Sequence, residues 1–188
     1  MNQHKLTLNS INKLTHILPV SKIQTFSNEI VLIIKPKFLL DTLHFLKNHI
    51  SFQFTVLTSI TGVDYPENKH RFEIVYDLLS LTFNQRIRLK LVVDELEPVN
   101  SCENIYPAAN WFECEVWDMF GVFFKNHSNL RRILTDYGFE GHPLRKDFPL
   151  NGYIEVRYSE NHKRVISESI EFSQEYRTFN FFGPWNKN

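Results

Sequence analysis

Between Glu113 and Asp147 lie the residues whose types could do chemistry: Glu113, Glu115 and Asp118, then Cys114, His127 and His142, then Arg131, Arg132, Asp136, Arg145, Lys146 and Asp147. Paired carboxylates perform acid–base work in glycoside hydrolysis, but there they face each other from different elements across a cleft. Glu115 and Asp118 stand one turn apart on a single helix, which is the spacing of salt-bridge anchors. Cys114 could act as a nucleophile with a histidine as base, yet its neighbours Glu113 and Glu115 raise a thiol pKa instead of lowering it. A metal site would recruit Cys114, His127 and His142, but the sequence has no CxxC, HxxxH or HExxH spacing. An iron–sulfur cluster usually takes four cysteines, and the chain has 2. Gly138-x-x-Gly141 lacks the remainder of a dinucleotide or P-loop fingerprint. No catalytic constellation is complete. The paired carboxylates are therefore read as salt-bridge anchors, and what the other charged residues meet stays open.

Several elements must position this segment. Leu8, Ile11, Leu14 and Leu18 recur at helical spacing until Pro19 ends the pattern. The apolar run Val31 to Ile34 is a buried strand, and Pro36 opens a helix striped by Leu39, Leu43, Leu46 and Ile50. Phe54 to Thr61 alternates as a strand whose one face is Phe54, Val56, Thr58 and Ile60, with a turn over 62–69. Phe72, Ile74, Tyr76 and Leu78 share the inner face of the next strand, with Glu73 and Asp77 outside. Arg86, Arg88 and Lys90 alternate with Ile87, Leu89 and Leu91. An acidic strand face beside a basic one favours cross-strand ion pairs, whereas a phosphate-tracking groove needs unpaired positive charge. A paired sheet face is the reading adopted.

Asn110 and Glu113 suggest an N-cap and N3 pair opening a short helix. That helix would bury Phe112, Val116, Met119, Phe120 and Phe123, present its carboxylates on another side and stop at Gly121. Beyond it, Gly138 and Gly141 allow a backbone path closed to other residues, and Pro143 and Pro149 pin it. Ile154 to Tyr158 and Val165 to Ile170 suggest short strands, before an aromatic end from Glu175 to Trp185. The expected architecture is α+β: a mostly antiparallel sheet with helices on one face, then an extended C-terminal arm. The division expected is an α+β domain over 1–125, followed over 126–188 by an irregular loop and a partner-binding arm.

Composition narrows the class. The chain has 188 residues, is 43% hydrophobic and carries 21 basic against 21 acidic residues. It can fill a core, but it has no bulk positive field for nucleic acid or anionic lipid. No run of about 20 apolar residues exists to cross a membrane. No arginine precedes Arg71, which argues against an Arg-rich transit peptide. The expectation is a chain made where it works, or one already processed.

The run Asn110-Trp111-Phe112-Glu113-Cys114-Glu115-Val116-Trp117-Asp118-Met119-Phe120-Gly121, with His127 and Leu130-Arg131-Arg132-Ile133-Leu134, resembles the 30-kilodalton subunit family of NADH:ubiquinone oxidoreductase, respiratory complex I. Asp136-Tyr137-Gly138-Phe139-Glu140-Gly141-His142-Pro143-Leu144-Arg145-Lys146-Asp147-Phe148-Pro149-Leu150 resembles its mitochondrial and bacterial branch. The likeness extends back through Arg71 to Tyr76 and forward to the stretch from Phe179 to Trp185. Two positions depart from the family pattern: Cys114 stands where Arg is usual, and Ser128 where Pro is usual. The resemblance implies a non-catalytic core subunit of the hydrophilic arm that braces the 49-kilodalton subunit and the small cluster-bearing subunit beside it, with Glu113, Glu115, Asp118, His127, Arg131, Arg132, Asp136, His142, Arg145, Lys146 and Asp147 as interface or loop-fixing residues and no catalytic, cofactor or metal ligand in this chain. FMN and iron–sulfur clusters would reside in partner subunits, and contact with the membrane would be indirect. The implied location is the matrix side of the mitochondrial inner membrane, with the gene kept in the organelle. A stand-alone hydrolase using Cys114 or the carboxylates, a nucleic-acid-binding module, and the equivalent subunit of a related quinone-reducing or hydrogenase complex are the alternatives.

Overall fold

The computed structural model describes residues 17–26, 29–172, 174, 177 and 179. Most of the helix expected through Leu8, Ile11 and Leu14, and most of the aromatic end of the chain, lie outside them. The chain divides into two compact units, Met1–Phe148 and Pro149–Asn188.

In the first unit, β1 (Val20–Phe26), β2 (Glu29–Ile34), β3 (Val56–Asp64), β4 (Phe72–Ser80) and β5 (Gln85–Val93) form one sheet in the order β1-β2-β5-β4-β3. All neighbours are antiparallel except β2 and β5. The inner face is the one the alternation implied. Phe72, Ile74, Tyr76 and Leu78 of β4 and Ile87, Leu89, Leu91 and Val93 of β5 are buried. Against them packs α1 (Leu39–Asn48), entered through a 3-10 turn at Pro36–Phe38, with Leu39, Leu43 and Leu46 fully buried. The opposite face is charged and internally paired. Arg88 binds Asp77 through Nε at 2.7 Å, and Lys90 reaches Glu73 at 2.6 Å.

Three local expectations are corrected. Helix α1 ends at Asn48, and His49 is extended, so Ile50 is 81% exposed and Phe52 and Phe54 complete the core in its place. Strand β3 carries a bulge between Leu57 and Ser59. One extra residue shifts the alternation, so Leu57 and Ile60, three apart, are both buried while Thr58 is exposed. The same strand continues to Asp64, which confines the expected turn to the residues after it.

A short parallel pair, β6 (Val99–Asn100) with β7 (Phe124–Lys125), brackets α2 (Ala109–Phe120). Helix α2 packs on β3 where a Cβ on Gly62 would lie 2.7 Å from the Phe120 ring, so glycine permits the approach. The boundary between units falls after Phe148 and not after Lys125. Residues 127–148 are tied by hydrogen bonds to α2 and β3, which makes them part of the first unit. In the second unit, β8 (Ile154–Ser159) and β9 (Arg164–Ser169) pair as an antiparallel hairpin, so the arm begins as paired strands.

Candidate functional site

Helix α2 is set by what precedes it. The Ala109 and Asn110 N–H groups bond to the Tyr106 and Pro107 carbonyls, so the helix end needs no side-chain cap and has none at Ala108. Asn110 therefore lies within the helix and is not its cap. Its amide donates to Glu103 Oε1 at 2.7 Å, and Glu113 accepts the Cys102 N–H at 2.8 Å.

The carboxylates expected on a separate side are split. Glu115 is exposed, but Glu113 and Asp118 are fully buried, because the chain after β7 folds over the face that carries them. Of the five apolar residues expected inside, only Val116 is buried outright, and Phe123 is 51% exposed.

Asp118 is the centre of the arrangement. Its Oδ2 accepts the N–H groups of Ile133, Leu134 and Thr135 at 3.0, 2.7 and 3.0 Å. Its Oδ1 accepts the Thr135 hydroxyl at 2.7 Å and Arg132 Nη1 at 3.0 Å. Burial would push this carboxyl up, but the Thr135 hydroxyl and the three N–H donors outweigh it and hold the pKa at about 2.

The end of α2 is closed by the next piece of chain. A helix leaves its last carbonyls without internal partners. Here Trp117 O accepts the Gly121 N–H, Asp118 O accepts His142 Nδ1 at 3.0 Å, Met119 O accepts the Leu144 N–H at 3.1 Å, and Phe120 O accepts Arg145 Nε at 2.6 Å. Arg145 also complements the negative end of the helix dipole. Burial first, with Arg145 and Arg132 beside it, presses the His142 pKa below its usual value against the opposing pull of the Asp118 carbonyl hydrogen bond. Gly121, at φ +76, makes the closure possible, since a Cβ there would sit 2.5 Å from both Arg145 Nη2 and His142 Nε2.

A third cluster ties the loop to the sheet. Arg71 grips the buried Asp64 with Nε at 2.7 Å and Nη2 at 3.0 Å, and reaches Asp147 at 3.1 Å. Glu95 lies between Arg71 and Arg145 and pairs with both. Asp64 accepts the Lys146 N–H at 2.7 Å, while the Lys146 side chain is exposed. The Arg71 hydrogen bond keeps the Asp64 carboxyl below its ordinary range. Asp64, Arg71, Glu95 and Thr135 were not legible as members of this site, because their partners are up to 82 residues away in the chain.

The last cluster decides the nucleophile question. His127 Nδ1 accepts the Asn129 N–H at 3.0 Å, so in the neutral ring Nε2 carries the proton and donates it to Asn110 O at 3.2 Å. That nitrogen cannot take a proton from Cys114, whose buried Sγ lies 3.9 Å away and donates to Asn129 O at 3.6 Å. Glu113 Oε2 stands 3.9 Å from His127 Nε2, and burial raises the Glu113 pKa. The two positions expected to depart from the family pattern both serve this packing. Cys114 is buried under the loop, and Ser128 gives its N–H and hydroxyl to Glu103 at 3.1 and 2.8 Å, the first of which a proline could not do. Arg131 and Asp136 are exposed, and Asp136 Oδ1 accepts the Tyr137 N–H at 2.8 Å.

The cysteines do not fit an iron–sulfur cluster. They are two where four thiolates are usual, and burial, then Glu113, pushes the Cys102 thiol far above its ordinary value.

The opposed carboxyl shifts set a pH dependence. Asp118 is depressed in the fold, so its contribution is complete above its ordinary 3.8 and is lost as pH falls towards 2, about 2 kcal/mol in all. Glu113 is raised, so ionising it on the way up from its ordinary 4.5 removes stability. Urea midpoints measured from pH 2 to 7 are expected to fall steeply below pH 4 in the native chain. Asp118→Asn should flatten that limb, and Glu113→Gln should remove the loss on the alkaline side.

Comparison with known proteins gives these clusters a context. The family model for the 30-kilodalton subunit of the respiratory-chain NADH dehydrogenase matches residues 32–154. NADH-ubiquinone oxidoreductase subunit 9 of Reclinomonas americana is 58% identical over 159 residues, 85% of this chain and 78% of that protein. The same-named protein of Prototheca wickerhamii is 56% identical over 160 residues, covering 85% and 83%. NADH dehydrogenase (ubiquinone) iron-sulfur protein 3 of Beta trigyna is 59% identical over 150 residues, covering 80% and 78%. Among solved structures, a chain of the membrane-bound sulfane sulfur reductase, an archaeal respiratory membrane complex, shares the fold at TM-score 0.65 and 24% identity, over 76% of this chain and 85% of that one. With a matched segment that spans all four clusters and relatives this similar, the chain belongs to the 30-kilodalton subunit family of the respiratory-chain NADH dehydrogenase.

Proposed function

We propose that the chain is a non-catalytic core subunit of the hydrophilic arm of NADH:ubiquinone oxidoreductase. It braces the subunits that form the quinone site, namely the 49-kilodalton subunit and the small cluster-bearing subunit beside it. FMN and the iron–sulfur clusters belong to partner subunits, and electron transfer is an activity of the assembly. The chain is peripheral, on the matrix side of the mitochondrial inner membrane, and among the described residues no helix is long and apolar enough to cross a membrane. Glu113, Asp118, His127, Arg132, His142, Arg145, Lys146 and Asp147 hold the loop, and Glu115, Arg131 and Asp136 face partners.

The observation that supports this reading best is the hairpin of the second unit. The register puts Ile154, Val156, Tyr158 and Val165 on one face, and all four are more than half exposed. The other face carries Glu155, Arg157 and Glu168, with Arg157 paired to Glu168. An isolated two-stranded hairpin is marginal in water. Covering each of those large apolar side chains is worth about 1.5–3 kcal/mol, which a partner subunit can supply. Val156→Asp is expected to leave the melting temperature of the purified chain unchanged and to deplete it from the assembled complex on native gels. Normal incorporation with loss of NADH:ubiquinone turnover would sink the reading.

A further inference from the structure

The loop that Asp118 holds is folded so that one side chain stands apart from it. Asp136, Tyr137, Gly138 and Phe139 make a turn closed by the Phe139 N–H on Asp136 O at 3.2 Å. Gly138 at φ +74 occupies the third position, the signature of a type II turn, in which that residue must be left-handed. Tyr137 is the second residue, at the tip, and its ring is completely exposed. Both limbs of the turn are pinned. Residues 133–135 give their N–H groups to Asp118. Phe139 packs against Phe148 with tilted rings 5.9 Å apart and lies 5.9 Å under the Arg132 guanidinium.

A single exposed aromatic residue is ordinary on a protein surface. Here, however, the other aromatic residue of the turn is packed inward, and the backbone that leads to Tyr137 is held by hydrogen bonds to the buried Asp118. Tyrosine loses few rotamers on binding, offers an apolar ring with a polar tip, and is enriched among the residues that dominate interfaces. A rigid support removes most of the remaining ordering cost. The charge beside it selects the partner. Asp136 and Glu140 flank the tip, both are exposed, and neither has an ion pair among the described residues. An acidic tip repels lipid headgroups and nucleic acid, and it complements a protein surface rimmed by lysine or arginine.

We infer that Tyr137 is a docking anchor. It inserts into a pocket of a neighbouring subunit that has apolar walls, a hydrogen-bonding group for the phenol, and a basic rim facing Asp136 and Glu140. The inference rests on the proposed subunit role. N-acetylimidazole acetylation of tyrosines, followed by mass spectrometry, tests it on the free chain and on the intact purified complex. Tyr137 is expected to react freely in the former and to be protected about tenfold or more in the latter. Equal labelling in both, with the chain present in the complex, overturns the anchor and leaves the subunit role standing. Absence of the chain from the purified complex overturns the subunit role itself. As a second readout, Tyr137→Ala should melt as the native chain does yet compete about tenfold less well for incorporation, with Tyr137→Phe intermediate and Glu140→Lys reduced. Native-like incorporation of Tyr137→Ala would refute the anchor, and improved incorporation of Glu140→Lys would refute the basic rim.

Discussion

Replacing Asp118 by alanine is expected to destabilise the isolated chain by about 3–5 kcal/mol, the usual cost of removing one partner from a buried charged pair. The carboxylate accepts five hydrogen bonds from four consecutive residues, Arg132 to Thr135. An alanine would leave three backbone N–H groups and one hydroxyl without their acceptor and a void beside them. Each such orphan, when it stays buried, costs about 1–3 kcal/mol, so part of the loop should detach to reach water. The measurement is a urea titration of Asp118→Ala and Asp118→Asn beside limited proteolysis of residues 127–148. Both variants should lose stability, since an asparagine turns an amide towards donors it cannot satisfy, and cleavage should move into the loop. A loss below about 1 kcal/mol with an unchanged cleavage pattern would contradict the role given to Asp118.

The second large effect is expected at Gly121. Valine there meets two costs at once. A β-branched residue at φ +76 is strained by about 1–3 kcal/mol, and its Cβ would collide with Arg145 and His142. Evicting those two side chains strips Asp118 O and Phe120 O of their donors and releases Glu95 from Arg145. The sum is about 3 kcal/mol or more. Because the collision is with named side chains, a double-mutant cycle separates the causes. Gly121→Ala combined with Arg145→Ala should be less destabilised than the sum of the two single variants. Strict additivity would show that the collision with Arg145 contributes nothing.

Periodicity carried the sheet. The clean alternation of β4 and β5 identified the inner face and foretold ion pairs across the outer one, because a strand's two faces are written directly into its sequence. The helical stripe Leu39, Leu43 and Leu46 was equally readable. It overran at Ile50, where the stripe continued in the sequence after the helix had stopped. The bulge in β3 left no compositional mark, so Leu57 and Thr58 were placed on the wrong faces. Helix α2 was the harder case. Its amphipathic pattern distinguishes apolar from polar residues, but it cannot reveal that a polar side will be covered from elsewhere in the chain. The donors that satisfy Asp118 come 14 to 17 residues later, and most of them are backbone groups, which have no sequence signature. Motif likeness drew attention to Glu113, Asp118, His142 and Arg145, yet their geometry emerged only with the fold.

The hydrogen bond from Lys146 N–H to Asp64 joins residues 82 apart, and it has a consequence for biogenesis. Contacts between distant parts of a chain form late, after the intervening segments have ordered. The loop bearing Tyr137 therefore acquires its final shape only once β3 and β4 have delivered Asp64 and Arg71 to it. On the proposed subunit role, a half-folded chain lacks the surface that a neighbouring subunit would recognise.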